Sequence, residues 1–256
     1  MGRTRGCRAA MKPCLIRQPA GIGDIFFTQK IAKLLISKNR CDKIIWPVAS
    51  QYNYLNDYIG TDHITYICES ENFAHKDIYL SSINTLYERE DLLYIPLQYA
   101  DQTTTLPECR AHGHIKYKFC NNLSHADWKD YFQFNRNLDR ELKLVDKLGI
   151  DINEPYNLIN RNYGSPPGNL IREDIVPDND HNCIYMEFYN DIHLFDWLTI
   201  AENAKQIHTM ETSLCYLLEK IGLTNVHVYS KYTVDSGIDN FNYIKSNYSD
   251  EWTYVR

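Results

Sequence analysis

Short apolar segments alternate with amphipathic helical segments along both halves of this chain, and this alternation restricts the fold more than any other feature. Strands that are separated by helices favour parallel sheets with helices packed on them, so the predicted fold class is α/β. The predicted strands are residues 14–19, 43–48, 64–68, 77–82, 91–99, 156–164, 183–188, 205–210 and 225–230. The predicted helices are residues 25–38, 53–60, 194–204 and 211–222.

A further helical region, residues 115–148, ends at Gly149 and a polar segment, and this is where we predict a domain boundary. The same strand–turn–helix order is found on both sides of it. We therefore predict a GT-B-like arrangement of two Rossmann-like lobes with a cleft between them, the N-terminal lobe over residues 12–150 and the C-terminal lobe over 151–256. The charged run 139–143 is predicted to be a solvated face of a helix.

Composition excludes several classes of function. The formal net charge of −6 lacks the excess of basic residues with which proteins bind nucleic acids. No apolar run approaches the ~20 residues that span a bilayer, and residues 1–11 lack the apolar core of a secretion signal and are predicted to be a disordered leader. The eight cysteines include no CxxC pair, and His112 and His114 lack a third metal ligand. We expect a cytoplasmic protein without stable membrane insertion, a nucleic-acid partner or a metal.

The segment QPAGIGD, residues 18–24, joins the first predicted strand to the first predicted helix. Gly21 and Gly23 allow a sharp turn and a close approach of a ligand to the backbone, beside the N–H groups that begin the helix. The segment is an incomplete dinucleotide fingerprint, because Phe26 stands where a third glycine is needed. Asp24, in the first turn of the helix, is either a general base for an attacking sugar hydroxyl or a helix cap.

A second polar turn, at residues 208–214, joins a predicted strand to a predicted helix in the second half of the chain. Thr212 and Ser213 are predicted to begin that helix, where hydroxyls and N–H groups form a site suited to a diphosphate. Glu211 is placed to accept hydrogen bonds from ribose hydroxyls. The alternative is an ordinary helix cap in which Glu211 lies in the first turn.

Together the two motifs resemble those of one enzyme family. GIGDxxxT at residues 21–28, followed by an amphipathic helix, is similar to the N-terminal motif of the heptosyltransferase-like glycosyltransferases of family nine, which have the GT-B fold. The run LFDWLTIAENAKQIHTMETSLCYLLEKIGLTNVHVYSK, residues 194–231, resembles their C-terminal signature. The resemblance implies an inverting transfer without a divalent metal or other cofactor. It also implies that Asp24 is the catalytic base and that residues 211–213 bind the donor.

The chain departs from that family at several positions. Glu211 stands where the family usually has Asp, and Tyr216 stands where it has His. The lysine that follows the family's first C-terminal strand is not evident here, and Arg161 or Lys231 is predicted to supply its charge to the donor.

The predicted function is transfer of a sugar from a nucleotide-sugar donor to a glycan, a lipid-linked glycan or another hydroxyl acceptor. A nucleotide-sugar epimerase or hydrolase of the same fold is an alternative, and it would convert the donor without any acceptor. A second alternative is a non-catalytic sugar- or nucleotide-binding protein, because Glu211 and Tyr216 depart from the family's usual residues. Such a protein would bind donors without turnover. An NAD-dependent oxidoreductase is the fourth function considered.

Overall fold

The computed structural model describes residues 11–18, 21–81, 87–97, 128–163, 170–177, 181–187, 191–230, 245 and 247–255. The chain divides into two compact units. The first comprises residues 1–19, 30–56 and 60–121, and the second comprises residues 20–29, 57–59 and 122–256. The predicted leader, apart from Met11, lies outside the described residues. The division into lobes at residue 150 and the cleft between them stay predictions.

The first unit is built on a five-stranded sheet in the order β3-β2-β1-β5-β4. Its strands are β1 (Cys14–Arg17), β2 (Ile44–Val48), β3 (Ile64–Cys68), β4 (Tyr87–Glu88) and β5 (Leu93–Pro96). The neighbouring strands β1, β2, β3 and β5 pair in parallel, as their alternation with helices predicts, and only β4 runs antiparallel, to β5. Between β1 and β5 the sequence also contains the helices α1 (Ile22–Phe27), α2 (Gln29–Ser37), α3 (Leu55–Ile59) and α4 (Lys76–Ser81).

The predicted strand at residues 77–82 is wrong, because this segment is helix α4. A helix allows Ile78 and Tyr79, which are adjacent, to pack against one cluster on the sheet, whereas a strand would point them to opposite faces. Leu80 is 54% exposed. A short apolar run does not distinguish a helix from a strand by its periodicity, and here tertiary packing decides.

The second unit is built on another five-stranded sheet, in the order β10-β9-β8-β6-β7, in which every pair is parallel. Its strands are β6 (Tyr156–Asn160), β7 (Asn182–Tyr185), β8 (Gln206–Met210), β9 (Val226–Tyr229) and β10 (Thr253–Val255). Its later helices are α5 (Trp128–Tyr131), α6 (Leu138–Leu148), α7 (Leu198–Asn203) and α8 (Ser213–Lys220). The 3₁₀ turn Leu194–Trp197 precedes α7 directly. Two sheets of this kind confirm the predicted α/β class.

The charged run 139–143 is only in part the predicted solvated helix face: Asp139 and Lys143 are exposed, but Arg140 and Glu141 enter ion pairs whose carboxylates are buried. Glu141 on α6 is fully buried, and its carboxylate accepts hydrogen bonds from Arg136 and, at 2.7 Å, from the hydroxyl of Thr199. Arg140 pairs with Asp196 of the 3₁₀ turn at 2.7 Å. The i,i+4 spacing of charges is the same for exposed and buried faces of a helix, so the sequence did not reveal these long-range partners.

Asp196 is the centre of a polar network in the second unit, and its side chain is 2% exposed. The hydroxyl of Tyr58 donates to Oδ1 at 2.7 Å, and the backbone N–H of His193 donates to Oδ2 at 2.8 Å. Burial raises the pKa of Asp196, but the hydrogen bonds from Arg140, His193 and Tyr58 outweigh it and hold the pKa below its ordinary value. The ring of Tyr58 also stacks on Phe195, with centroids 4.2 Å apart. Residues 57–59 are thus joined to the second unit by both polar and apolar contacts.

Within the described part of the chain, no helix is both long enough and apolar enough to cross a bilayer. The described cysteines are free thiols, and all but Cys183 are buried. The cytoplasmic location stays a prediction.

Candidate functional site

The glycine turn before α1 holds the side chain of Asp24 close to the backbone. Gly21 is the N-cap of α1 and has a φ of 76°, a left-handed conformation that glycine adopts without steric cost. A Cβ placed on Gly21 would lie 2.6 Å from Oδ2 of Asp24. Both the turn and the position of this carboxylate therefore require glycine at residue 21. Asp24 is half-buried in the first turn of the helix, as predicted, but the capping position itself is occupied by Gly21.

Helix α1 is fixed by its apolar face, so Asp24 projects from a rigid support. Ile22, Ile25 and Phe26 are buried in the second unit. The ring of Phe26 stacks on Phe132, with centroids 4.5 Å apart, and contacts Phe195 edge-on at 5.7 Å. A functional group that must keep its orientation is best carried by such a packed element.

The second predicted motif forms the turn between β8 and α8. Thr212 is the N-cap of α8 and Ser213 is its first residue, which confirms the predicted start of this helix. The N–H of Glu211 donates to the carbonyl of Tyr229 at 3.1 Å, which fixes the turn to the neighbouring strand β9. The side chains of residues 211–213 are half-buried, so they remain accessible from one side.

Asn160, which sequence reasoning missed, links the end of β6 to this turn. Its side-chain amide is 1% exposed and donates to Oγ1 of Thr209 at 3.0 Å and to Oγ1 of Thr212 at 3.2 Å. Its Oδ1 accepts from the N–H of Asn162 at 3.2 Å. The signal in the sequence was a polar residue that closes an apolar strand, at the carboxyl edge where ligands of parallel sheets bind.

The structure brings the two motifs together, because α1 contacts α8. A Cβ on Gly23 would lie 3.2 Å from Cε2 of Tyr216 and 3.6 Å from Cα of Ser213. Burial raises the pKa of Tyr216, and the negative charges of Asp24 and then Glu211 raise it further. Both carboxylates therefore act on the same phenol, which places the predicted base and the predicted donor turn around one side chain.

Arg161 lies next to Asn160, but its guanidinium is directed towards β7. It pairs with Glu173 at 3.3 Å and lies 4.4 Å from the centre of the Tyr185 ring. Its Nε is buried and has no hydrogen-bond partner among the described residues. Lys231, the other predicted cation, and the His112 and His114 pair lie outside the described residues.

Among the residues that the structure describes, no three His, Cys, Asp or Glu side chains form a group that would hold a metal ion. His208 and His193 both have protein partners, since Nδ1 of His208 lies 2.9 Å from the hydroxyl of Tyr229 and Nδ1 of His193 lies 3.3 Å from that of Tyr58. Metal independence stays a prediction.

No family model and no curated protein matches the chain by sequence. Among solved structures, the glycosyl transferase family 9 protein from Veillonella parvula DSM 2008 is similar, with a TM-score of 0.53 over 97% of this chain and 88% of that one. The two proteins share their fold. The two chains are 8% identical, so the likeness confirms the predicted GT-B-like fold and leaves the activity to be tested.

A second structure, the iron-containing dodecameric glycosyltransferase TibC of enterotoxigenic E. coli H10407, matches 96% of this chain and 64% of its own, at 10% identity. Its TM-score of 0.45 is too low to establish a shared fold.

Proposed function

We propose that this protein is an inverting, metal-independent glycosyltransferase that takes its sugar from a nucleotide-sugar donor. The observation that carries the proposal is the contact between α1 and α8, which brings Gly23, the residue before Asp24, against Tyr216 and Ser213 beside the turn at residues 211–213. The two motifs lie far apart in the sequence and meet in the structure. A general base beside an anion-binding helix start is the arrangement that glycosyl transfer requires. The family 9 fold supports the same assignment.

The donor's diphosphate would bind at the start of α8. The first N–H groups of a helix lack partners within that helix and carry its positive dipole end, so they attract an anion. Oγ1 of Thr212 accepts a hydrogen bond from Asn160, which leaves the hydroxyl proton to be donated to a phosphate oxygen. Arg161, the residue after Asn160, would add a cation to the diphosphate site if its side chain turned from Glu173. Glu211 would accept hydrogen bonds from the ribose hydroxyls.

Asp24 would act as the general base. Its carboxylate would take the proton of an acceptor hydroxyl on a glycan or lipid-linked glycan while that oxygen attacks the anomeric carbon. The bond from the anomeric carbon to the diphosphate breaks in the same step, and the negative charge that develops on the leaving group is stabilised at the start of α8. Attack from the side opposite the leaving group inverts the anomeric configuration.

Two measurements test the proposal. The first is a thermal-shift screen against UDP, GDP, ADP, CMP and NAD. A ligand at 100 times its Kd adds about 2.7 kcal/mol, or roughly 5–11 °C in Tm. A shift with one nucleoside diphosphate supports the proposal, whereas a shift with NAD alone overturns it. Consumption of a nucleotide sugar that needs no acceptor would instead identify an epimerase or hydrolase.

The second measurement compares two aspartates in first turns of helices. Asp24→Ala is expected to keep donor binding and to lower turnover at least ~100-fold, the usual effect of losing a general base. Asp139→Ala is the control, since Asp139 lies in the first turn of α6 and is exposed. Equal activity in the two variants would remove Asp24 from the proposed role.

A further inference from the structure

The ring of Tyr216 lies against the backbone of Gly23, the residue directly before Asp24. The 3.2 Å between Cε2 of Tyr216 and an added Cβ is shorter than normal contact between carbon atoms, so only glycine fits there without displacement. Ser213 approaches the same position at 3.6 Å through its Cα. Gly23 is therefore enclosed by the first turn of α8, and the orientation of α1 depends on what occupies residue 216.

The ring of Tyr216 is itself held by other aromatic side chains. It packs edge-on against Trp128, Tyr248 and Phe26, with centroids 4.7, 5.5 and 6.2 Å away. Its hydroxyl forms a hydrogen bond with the hydroxyl of Tyr248. Burial raises the pKa of Tyr248 as well. Trp128 in turn donates from Nε1 to the carbonyl of Asn247 at 3.0 Å. Tyr216 is thus a fixed surface, and movement of its ring would require rearrangement of the whole cluster.

The electrostatic surroundings of Tyr216 agree with this geometry. Asp24 and Glu211 both raise the pKa of its hydroxyl, and so the side chain is neutral when both carboxylates are charged. A neutral, bulky side chain can separate two carboxylates without neutralising either one.

We propose that Tyr216 is a positioning residue, which acts through Gly23 to hold Asp24 at a fixed place relative to the turn at residues 211–213. The inference rests on the proposed glycosyltransferase function. Tyr216 itself need not touch the substrate: its ring sets the separation of α1 and α8, and the separation sets the reach of the Asp24 carboxylate. Displacement of a catalytic group by about 1 Å can cost on the order of 100-fold in rate.

The first test is a comparison of Tyr216→Leu, Tyr216→Phe and Tyr156→Leu. The assay measures nucleoside diphosphate release from whichever of UDP-glucose, GDP-mannose and ADP-glucose the wild-type protein consumes. Tyr216→Leu is expected to lower kcat by about 10- to 100-fold with the donor KM within about twofold. Tyr216→Phe keeps the ring and is expected to restore kcat to within about threefold. Tyr156→Leu removes a buried tyrosine at the first residue of β6, away from α1 and α8, and it should lower Tm without lowering kcat.

The second test asks whether Tyr216 acts through Gly23. Gly23→Ala is expected to lower kcat, because its methyl group meets the Tyr216 ring. In Gly23→Ala/Tyr216→Leu the smaller side chain leaves room for the methyl group, so the double variant should be no slower than Tyr216→Leu alone. Independent, multiplying losses would overturn the inference.

Two further outcomes separate the inference from the function on which it rests. A Tyr216→Leu variant with normal kcat, or with only a raised donor KM, would overturn the positioning role while the glycosyltransferase stands. A wild-type protein that consumes none of the three donors and binds none of their nucleoside diphosphates would overturn both.

Discussion

Replacement of Asp196 by asparagine tests the network around the 3₁₀ turn. The substitution keeps the shape of the side chain but removes its negative charge. That carboxylate accepts hydrogen bonds from Arg140, Tyr58 and the N–H of His193. Removing one partner of a fully buried ion pair costs about 3–5 kcal/mol. The Arg140 side chain is 34% exposed and regains some hydration, so we expect a smaller loss, about 2–3 kcal/mol. At about 2–4 °C per kcal/mol, Tm should fall by about 4–12 °C.

The dependence on pH identifies the cause of this loss. The folded-state pKa of Asp196 is lowered, so its ionised form stabilises the protein above the unfolded-state pKa of about 4. This contribution is lost as the pH falls through the folded-state pKa. The difference in stability between the wild type and Asp196→Asn should therefore be constant near pH 7 and should shrink below about pH 4.

The assay is thermal unfolding followed by tryptophan fluorescence, with Trp197 as a buried reporter beside the substituted residue. Asp191→Asn is the matched control, because Asp191 pairs with Lys147 at 3.2 Å while its side chain is 74% exposed, and we expect no measurable change in Tm. Equal Tm values for the two variants, or a difference that persists unchanged to pH 3, would refute the reasoning.

Three further predictions concern the candidate site. Asn160→Ala removes the hydrogen bond to Thr212, and the Kd for the bound nucleoside diphosphate, measured by calorimetry, should rise about tenfold, equivalent to about 1.4 kcal/mol; an unchanged Kd would show that Asn160 does not organise the turn. Gly21→Ala puts a methyl group 2.6 Å from Oδ2 of Asp24 at a left-handed φ, so both Tm and kcat should fall, and a normal kcat would argue against the carboxylate position. The kcat measured in millimolar EDTA should equal that without it, and a loss that Mg²⁺ reverses would contradict metal independence.

Much of the fold could be predicted because its signals are local. Apolar runs bounded by polar turns predicted β2 and β3, and the start of α8 followed from Thr212 and Ser213. Helix α4 was missed because its short run of apolar residues has no clear period. Strand β10 was missed as well, since its three residues give too short a pattern to be recognised.

The candidate site was only partly predictable. Asp24 and the turn at residues 211–213 were identified from their places at the starts of helices, where the chemistry is local. The roles of Asn160 and Tyr216 depend on contacts between segments far apart in the chain, such as the approach of Tyr216 to Gly23. No periodicity or spacing in a single sequence encodes such a contact.

Helix α1 belongs to the second unit although segments of the first unit precede and follow it in the sequence. Its buried Phe26 packs against residues that are synthesised much later, such as Tyr216. The apolar face of α1 therefore stays exposed until those residues have been synthesised, and such exposed surfaces are prone to aggregate. A fragment that begins at residue 151 would lack Phe26, Tyr58 and Phe134, and so it would leave Phe195 without three of its ring partners. Expression of the second half alone should give insoluble protein, which co-expression with residues 1–150 would rescue.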